Sequence, residues 1–104
     1  MEIRYEKLVR DKIPQMIEAE GFTPNTRVLS DEEYMEALRV KLTEEVQEYL
    51  SDRNAEELAD ILEVVYALAN AQGIPQDTLE QIRKAKADAR GGFEKRLWLI
   101  SKTK

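Results

Sequence analysis

The fold is decided by residues 45–60, EVQEYLSDRNAEELAD, in which two helical patterns meet at a short polar segment. Ser51, Asp52 and Arg53 form this segment, and three residues leave room only for a tight turn. Two helices joined by so short a connection pack side by side in opposite directions. The sequence therefore predicts an antiparallel helix hairpin at the centre of the chain.

Capping signals mark where the two hairpin helices begin. Ser30 is followed three residues later by Glu33, the spacing of a capping box, and predicts a long helix that ends near Leu50. Asn54 stands in the same relation to Glu57 and predicts a third helix that runs to Gly73. Both starts lie where the apolar residues take up helical spacing, so the two signals agree.

The outer segments are also predicted to be helical. Apolar spacing predicts a first helix over about residues 9–20, with Pro14 early in it, and a fourth helix from Pro75 to Gly91. We expect a short extended piece at residues 26–29 and a return to helix over residues 93–100. The predicted fold class is all-α, a four-helix bundle built on the hairpin.

Composition limits both the size of the fold and its partners. The chain has 104 residues, of which 42% are hydrophobic, which suits one compact domain over residues 1–104. A net charge of −5 argues against broad contact with a nucleic acid polymer or an anionic membrane. No stretch approaches the roughly 20 apolar residues that a membrane helix needs. We therefore expect a cytoplasmic protein with neither kind of partner.

The chain contains no cysteine and no histidine. Thiolate nucleophiles, zinc–thiolate sites, imidazole bases and serine–histidine pairs are therefore excluded. Any chemistry must use carboxylates, lysine, arginine, tyrosine or a metal ion.

Carboxylates supply the strongest chemical signal. Glu45 and Glu48 are three residues apart, as are Glu57 and Asp60, so each pair shares one helix face. A helical wheel places Glu57 and Asp60 inside the apolar arc of the third helix. Partly buried carboxylates repel one another and lose hydration unless a cation, an arginine or protonation compensates. The pattern predicts that all four acids form one metal site, and oxygen ligands favour Mg²⁺ or Mn²⁺.

A plainer interpretation of these acids stays open. Acidic residues are common on the helices of an acidic protein, and Glu57 also suits the capping position after Asn54. Capping does not account for Asp60 within the apolar arc. Solvated acidic helix faces are the alternative to a metal site.

Basic residues form two candidate phosphate-binding groups. Lys86 and Arg90 share a face of the fourth helix, with Lys84 close by, and Arg10 and Lys12 lie in the opening segment. Ordinary surface charge is the equal alternative for all five residues.

Three segments carry a family resemblance. The motif Lys41-Leu42-x-x-Glu45-x-x-Glu48, followed by Glu57-Leu-Ala-Asp60-Ile-Leu, resembles the signature of the MazG-type all-α nucleoside triphosphate pyrophosphohydrolases. The segment Lys84-Ala-Lys86-x-x-x-Arg90-Gly91-Gly92-Phe93 is similar to the basic segment of that family. The opening Lys7-Leu-Val-Arg10-Asp11-Lys12-Ile-Pro14 resembles its phosphoribosyl-ATP pyrophosphohydrolase-like branch.

The resemblance implies Mg²⁺-dependent hydrolysis of a nucleoside triphosphate or related nucleotide between the α- and β-phosphates, which releases pyrophosphate. Glu45, Glu48, Glu57 and Asp60 would be the metal ligands, and Glu45 or Glu48 would be the catalytic base. Some deoxynucleotide-cleaving members place an asparagine where this chain has Ala67, with Asn70 a turn later. The nucleoside preference is therefore open.

The wide apolar arc of the third helix predicts a homodimer or a higher homo-oligomer, with the active site near the interface. Two alternatives to nucleotide hydrolysis remain. One is a non-catalytic, metal-binding and dimerising helical regulatory module. The other keeps the fold and the metal ion but acts on a non-nucleotide diphosphate.

Overall fold

The computed structural model describes residues 1–104 and contains four helices and no strand. The helices are α1 (Ile13–Ala19), α2 (Asp31–Asp52), α3 (Ala55–Ala71) and α4 (Gln76–Arg90). The all-α prediction is confirmed. The first helix is shorter than predicted because it begins at Ile13, with Pro14 in its first turn.

Both predicted caps of the hairpin helices are confirmed. The backbone N–H of Glu33 donates to Ser30 Oγ at 3.2 Å, and the N–H of Ser30 donates to Glu33 Oε1 at 3.1 Å. Arg27 Nη2 lies 2.9 Å from Glu33 Oε2, and its hydrogen bond is the largest contribution to a pKa of about 2 at Glu33. The N–H of Glu57 donates to Asn54 Oδ1 at 3.1 Å. Side-chain caps therefore fix where α2 and α3 begin.

The turn between α2 and α3 is shorter than predicted. Helix α2 continues to Asp52, and Arg53, with a φ of +57°, ends it in the left-handed region. Tyr34, near the start of α2, lines a cavity with Ala67 and Asn70 near the end of α3. Glu45, further along α2, lies beside Glu57 at the start of α3. Two helices that run in opposite directions produce this order of pairing.

The core of the single chain is small. Leu38, Val64 and Ala69 are its buried apolar residues. Helix α4 contacts α3 only, and α1 contacts no other helix. The four helices therefore do not form a closed bundle within one chain, in contrast to the prediction. Helix α1 has only seven residues, and α4 is mostly polar, so neither carries a broad apolar stripe that could close the bundle.

Residues 26–29 lie outside every helix, and the short extended piece expected there stays a prediction. The helix predicted over residues 93–100 is wrong. Residues 93–100 form no helix: the N–H of Arg96 donates to the carbonyl of Phe93, and the following residues are irregular. Gly91 ends α4 with a φ of +84°, and beyond it the side chains of Phe93 and Trp98 are almost fully exposed. Without a surface to pack on, apolar residues do not maintain a helix.

No helix has both the length and the apolar content needed to cross a lipid bilayer.

Candidate metal centre

Three carboxylates from two helices meet beside the hairpin turn. One oxygen each from Glu45, Glu57 and Asp60 lies within 4.8 Å of the other two. Glu45 projects from the second half of α2, whereas Glu57 and Asp60 occupy the first two turns of α3. The Asn54 cap sets the start of α3 and thereby the register that presents both acids to Glu45.

The burial of Glu45 sets this cluster apart from ordinary surface acids. Its residue surface is only 7% exposed. Its Oε2 atom, and the Oε2 atom of Glu57, are buried without a hydrogen-bond partner. A buried carboxylate oxygen without a donor or cation is costly. Two such oxygens in one cluster indicate a binding position for a positively charged group.

Burial, together with repulsion between the carboxylates, raises the pKa values of two acids of the cluster. Burial raises the pKa of Glu45, the neighbouring Glu48 carboxyl raises it further, and Lys41 opposes the rise. Burial also raises the pKa of Glu57, with added repulsion from Asp52, Asp60 and Glu45. The cluster therefore holds more negative charge than its neighbours neutralise.

Glu48, the fourth predicted ligand, lies at the edge of the cluster. It is exposed and is not one of the three acids that meet within 4.8 Å. Its carboxyl interacts with those of both Glu45 and Glu57. The structure thus brings three of the four predicted ligands together and places the fourth next to them.

Lys41 is a neighbour of the cluster to which the sequence analysis gave no role. Its Nζ lies 3.4 Å from Glu45 Oε1 and 3.5 Å from Glu44 Oε1, and its side chain is only 18% exposed. It therefore pairs with one oxygen of Glu45 while the other stays without a partner. The spacing of four residues between Lys41 and Glu45 is the signal that could have revealed this pair.

Arg10 reaches the cluster from the segment before α1. Its Nη2 donates to Asp60 Oδ1 at 2.8 Å, across fifty residues of sequence. Beside this contact lies an open cavity of about 390 Å³. Its charged lining includes Arg10, Lys12 and Lys41 together with Glu45 and Asp60. Two of the predicted phosphate-binding residues therefore share a cavity with two of the predicted metal ligands.

The basic residues of α4 are placed differently. Lys84, Lys86 and Arg90 are exposed, and none of them lines the cavity beside the acids. Lys84 Nζ donates to Asp88 Oδ2 on its own helix at 3.2 Å. A role of these three residues in substrate binding stays a prediction.

The donor set fits a hard divalent cation. Carboxylate oxygens are the ligands that Mg²⁺ and Mn²⁺ prefer. Around an octahedral Mg²⁺, neighbouring ligand oxygens are about 3.0 Å apart and opposite ones about 4.2 Å, so three oxygens within 4.8 Å would move closer together to bind one ion. Glu45, Glu57 and Asp60 would hold the ion, with Glu48 within reach. The fold and this cluster define a class: a small all-α protein in which three carboxylates from α2 and α3 lie close enough together to hold a metal ion.

Comparison with known proteins takes the classification no further. An uncharacterized protein of Mycolicibacterium smegmatis is 60% identical over 42 residues, which are 40% of this chain and 43% of that protein. The chain thus matches less than half the length of this relative. No protein-family model matches the chain, and no solved structure matches it.

Proposed function

We propose that the protein is a MazG-type nucleotide pyrophosphohydrolase. It uses Mg²⁺ or Mn²⁺ to hydrolyse a nucleoside triphosphate or related nucleotide between the α- and β-phosphates, and it removes such compounds from the nucleotide pool. The observation that carries the proposal is the buried, unpartnered Oε2 of Glu45 beside Glu57 and Asp60. A buried carboxylate oxygen without a hydrogen-bond donor would be stabilised by a cation, whereas a solvated acidic face needs none.

The charges around the cavity support a polyphosphate substrate. Carboxylates alone repel phosphates, so an anionic substrate needs cations at the same place. Arg10, Lys12 and Lys41 line the cavity that Glu45 and Asp60 also line. Arginine and lysine bind phosphate oxygens through charge-assisted hydrogen bonds. The cavity therefore offers phosphate-binding groups directly beside the candidate metal ligands.

In the proposed reaction, the metal ion and the side chains have different roles. A divalent ion bound here would polarise a phosphoryl oxygen and lower the pKa of a water molecule. Glu45, Glu57 and Asp60 would hold the ion, and Lys41 fixes the orientation of Glu45. Glu48 takes the proton of the attacking water, because it is exposed at the edge of the cluster and leaves ion binding to the other three. Arg10 and Lys12 bind and orient the phosphates.

The surface of the chain supports assembly with a second copy. Its accessible surface is 9814 Å², whereas a compact monomer of 12.1 kDa exposes roughly 6000 Å². Obligate dimers bury about 2000–5000 Å² in total, so the excess is large enough for such an interface. Val46 and Leu50 on α2, and Leu58 and Leu62 on α3, are exposed apolar residues close to the turn. We assign these four residues to a homo-oligomer interface.

A second candidate function is supported by a different observation. The three acids join α2 to α3, so an ion bound there would also cross-link the hairpin. In a chain with so small a core, that link alone could be the purpose of the site. The protein would then be a non-catalytic, metal-binding and dimerising regulatory module.

Pyrophosphate release tests the proposal. The substrates are canonical, deoxy and modified nucleoside triphosphates and phosphoribosyl-ATP, with Mg²⁺ or Mn²⁺ and with EDTA as the metal-free control. Glu57→Gln removes a ligand charge with little change of shape, and Glu56→Gln, at its exposed neighbour, is the matched control. We expect release that EDTA and Glu57→Gln abolish and Glu56→Gln preserves. Absence of release across the panel, with the ion still bound to the folded protein, would favour the regulatory module or a non-nucleotide diphosphate.

A further inference from the structure

Arg10 and a metal ion would compete for the same carboxylate. The Arg10 guanidinium donates to Asp60 Oδ1 at 2.8 Å, and Asp60 is one of the three converging acids. A guanidinium at this distance occupies an oxygen that could bind an ion, and its positive charge also repels a cation nearby. The metal-free cluster therefore already contains a counter-ion that belongs to the chain itself.

The contact between Arg10 and Asp60 is weak enough to be exchanged. The Arg10 side chain is 59% exposed and that of Asp60 is 40% exposed. Ion pairs with such access to solvent change an equilibrium constant by no more than about fivefold. A divalent ion that also binds Glu45 and Glu57 gains much more than that from the cluster. Asp60 therefore favours the ion over the guanidinium once a divalent ion is present.

The backbone around Arg10 is held independently of this ion pair. Leu8 and Val9 are half-buried and line the cavity, and the N–H of Ile13 donates to the carbonyl of Arg10 at 3.0 Å. When Arg10 releases Asp60, only its side chain needs to move. The released guanidinium stays at the cavity, with five N–H donors in a planar fork that matches a phosphate group.

Lys41, unlike Arg10, is a positively charged side chain that is held in place beside the cluster. It is mostly buried, and it lies on the same helix as its partner Glu45, four residues away. A divalent ion can bind the free Oε2 of Glu45 without displacing it. Arg10 differs in both burial and position, because its side chain is 59% exposed and comes from a segment fifty residues away from its partner Asp60.

We propose that Arg10 is an exchangeable counter-ion, a side chain that neutralises Asp60 until a divalent ion replaces it and that then binds the phosphates of the substrate. Ion binding thereby frees the group that the substrate needs, so the two ligands bind in a favoured order, with the ion first. The phosphate half of this inference rests on the proposed function, whereas the competition with the ion rests only on the candidate metal site.

Direct metal titration tests the competition. Mn²⁺ is titrated into the wild-type protein, Arg10→Gln and Lys12→Gln, and free Mn²⁺ is followed by electron paramagnetic resonance. Both variants lose one positive charge at the same cavity, but only Arg10 contacts Asp60. We expect Arg10→Gln to bind Mn²⁺ about three- to fivefold more tightly than wild type, and Lys12→Gln less than twofold more tightly. Equal effects of the two variants, or weaker binding by Arg10→Gln, would overturn the proposal.

Pyrophosphate binding tests the second half of the proposal, that the released Arg10 binds phosphate. With Mn²⁺ saturating, calorimetry with inorganic pyrophosphate should show at least about fivefold weaker binding to Arg10→Gln than to wild type, with partial recovery in Arg10→Lys. Unchanged pyrophosphate binding would refute the transfer of Arg10 to phosphate. If the substrate panel yields no turnover while Arg10→Gln still tightens Mn²⁺ binding, the proposed function fails and the competition stands.

Discussion

Two groups of charged residues, the acids of the hairpin and the bases of α4, follow the same helical spacing but have different surroundings. Glu45, Glu57 and Asp60 come from two helices, approach within 4.8 Å and include buried oxygens without partners. Lys84, Lys86 and Arg90 lie on one exposed helix, and Lys84 pairs with a residue of that same helix. Spacing identifies charges that share a face, but only contact between helices makes a charge costly and therefore informative about function.

The largest predicted effect is that of a substitution at Asp60, which removes one of the three acids of the cluster. Asp60→Asn should lower turnover at least about hundredfold, because it removes the charge of a proposed metal ligand. The free energy of unfolding without divalent ions should change by less than about 0.5 kcal/mol, since the variant loses an exposed ion pair and also relieves repulsion. Kinetics and urea unfolding measure the two effects.

Glu63→Gln is the control for Asp60→Asn, because Glu63 is an exposed acid one turn further along α3 that also lines the cavity. A stability loss in Asp60→Asn that appears only with Mg²⁺, with no turnover in wild type to lose, would instead favour the regulatory module.

Local sequence signals, such as helix caps, are sufficient to predict much of the fold. The capping box at Ser30 and the cap at Asn54 depend on residues three positions away, so they are readable without tertiary structure. The helix predicted over residues 93–100 is absent, because a local pattern does not reveal that Trp98 has nothing to pack against within the chain.

The candidate site was predictable only in part, because local spacing does not reveal contacts that depend on tertiary packing. The pairs Glu45–Glu48 and Glu57–Asp60 follow from helix geometry, and the short turn brings the two pairs together. The contact between Arg10 and Asp60 spans fifty residues and depends on how the opening segment packs, so no local pattern predicts that these two side chains meet. Burial of Glu45 likewise depends on tertiary packing.

A smaller predicted effect is a pH dependence of the free energy of unfolding that comes from the acid cluster. Without divalent ions, burial and the neighbouring carboxylates raise the pKa values of Glu45 and Glu57 in the folded state above their ordinary 4.5. Between the ordinary and the folded pKa, the folded state therefore binds more protons than the unfolded state. The contribution of these two acids to stability should rise as the pH falls towards 4.5, and fall as the pH rises through their folded pKa values. Urea unfolding in EDTA measures this change.

Glu45→Gln should flatten that pH dependence, and saturating Mg²⁺ should suppress it, because an ion favours the ionised carboxylates. Glu33 does not interfere, because its pKa of about 2 places its loss of stability below pH 4.5. An identical pH profile in wild type and Glu45→Gln would contradict the account of the cluster.

The smallest predicted effect concerns the bases of α4. Lys86→Ala should change KM by less than about threefold, because Lys86 is exposed and does not line the cavity. Steady-state kinetics on the best substrate of the panel measure it. A tenfold rise in KM would show that α4 reaches the substrate, and dependence of that rise on protein concentration would indicate a partner's site.

The central claim, that Glu45, Glu57 and Asp60 bind one divalent cation, is tested most directly by anomalous diffraction from crystals grown or soaked with Mn²⁺. The account predicts an anomalous peak among these three side chains, about 2.1–2.4 Å from their nearest oxygens, and loss of the peak in Glu57→Gln. Crystals with Mn²⁺ bound elsewhere and no peak between α2 and α3 would contradict it.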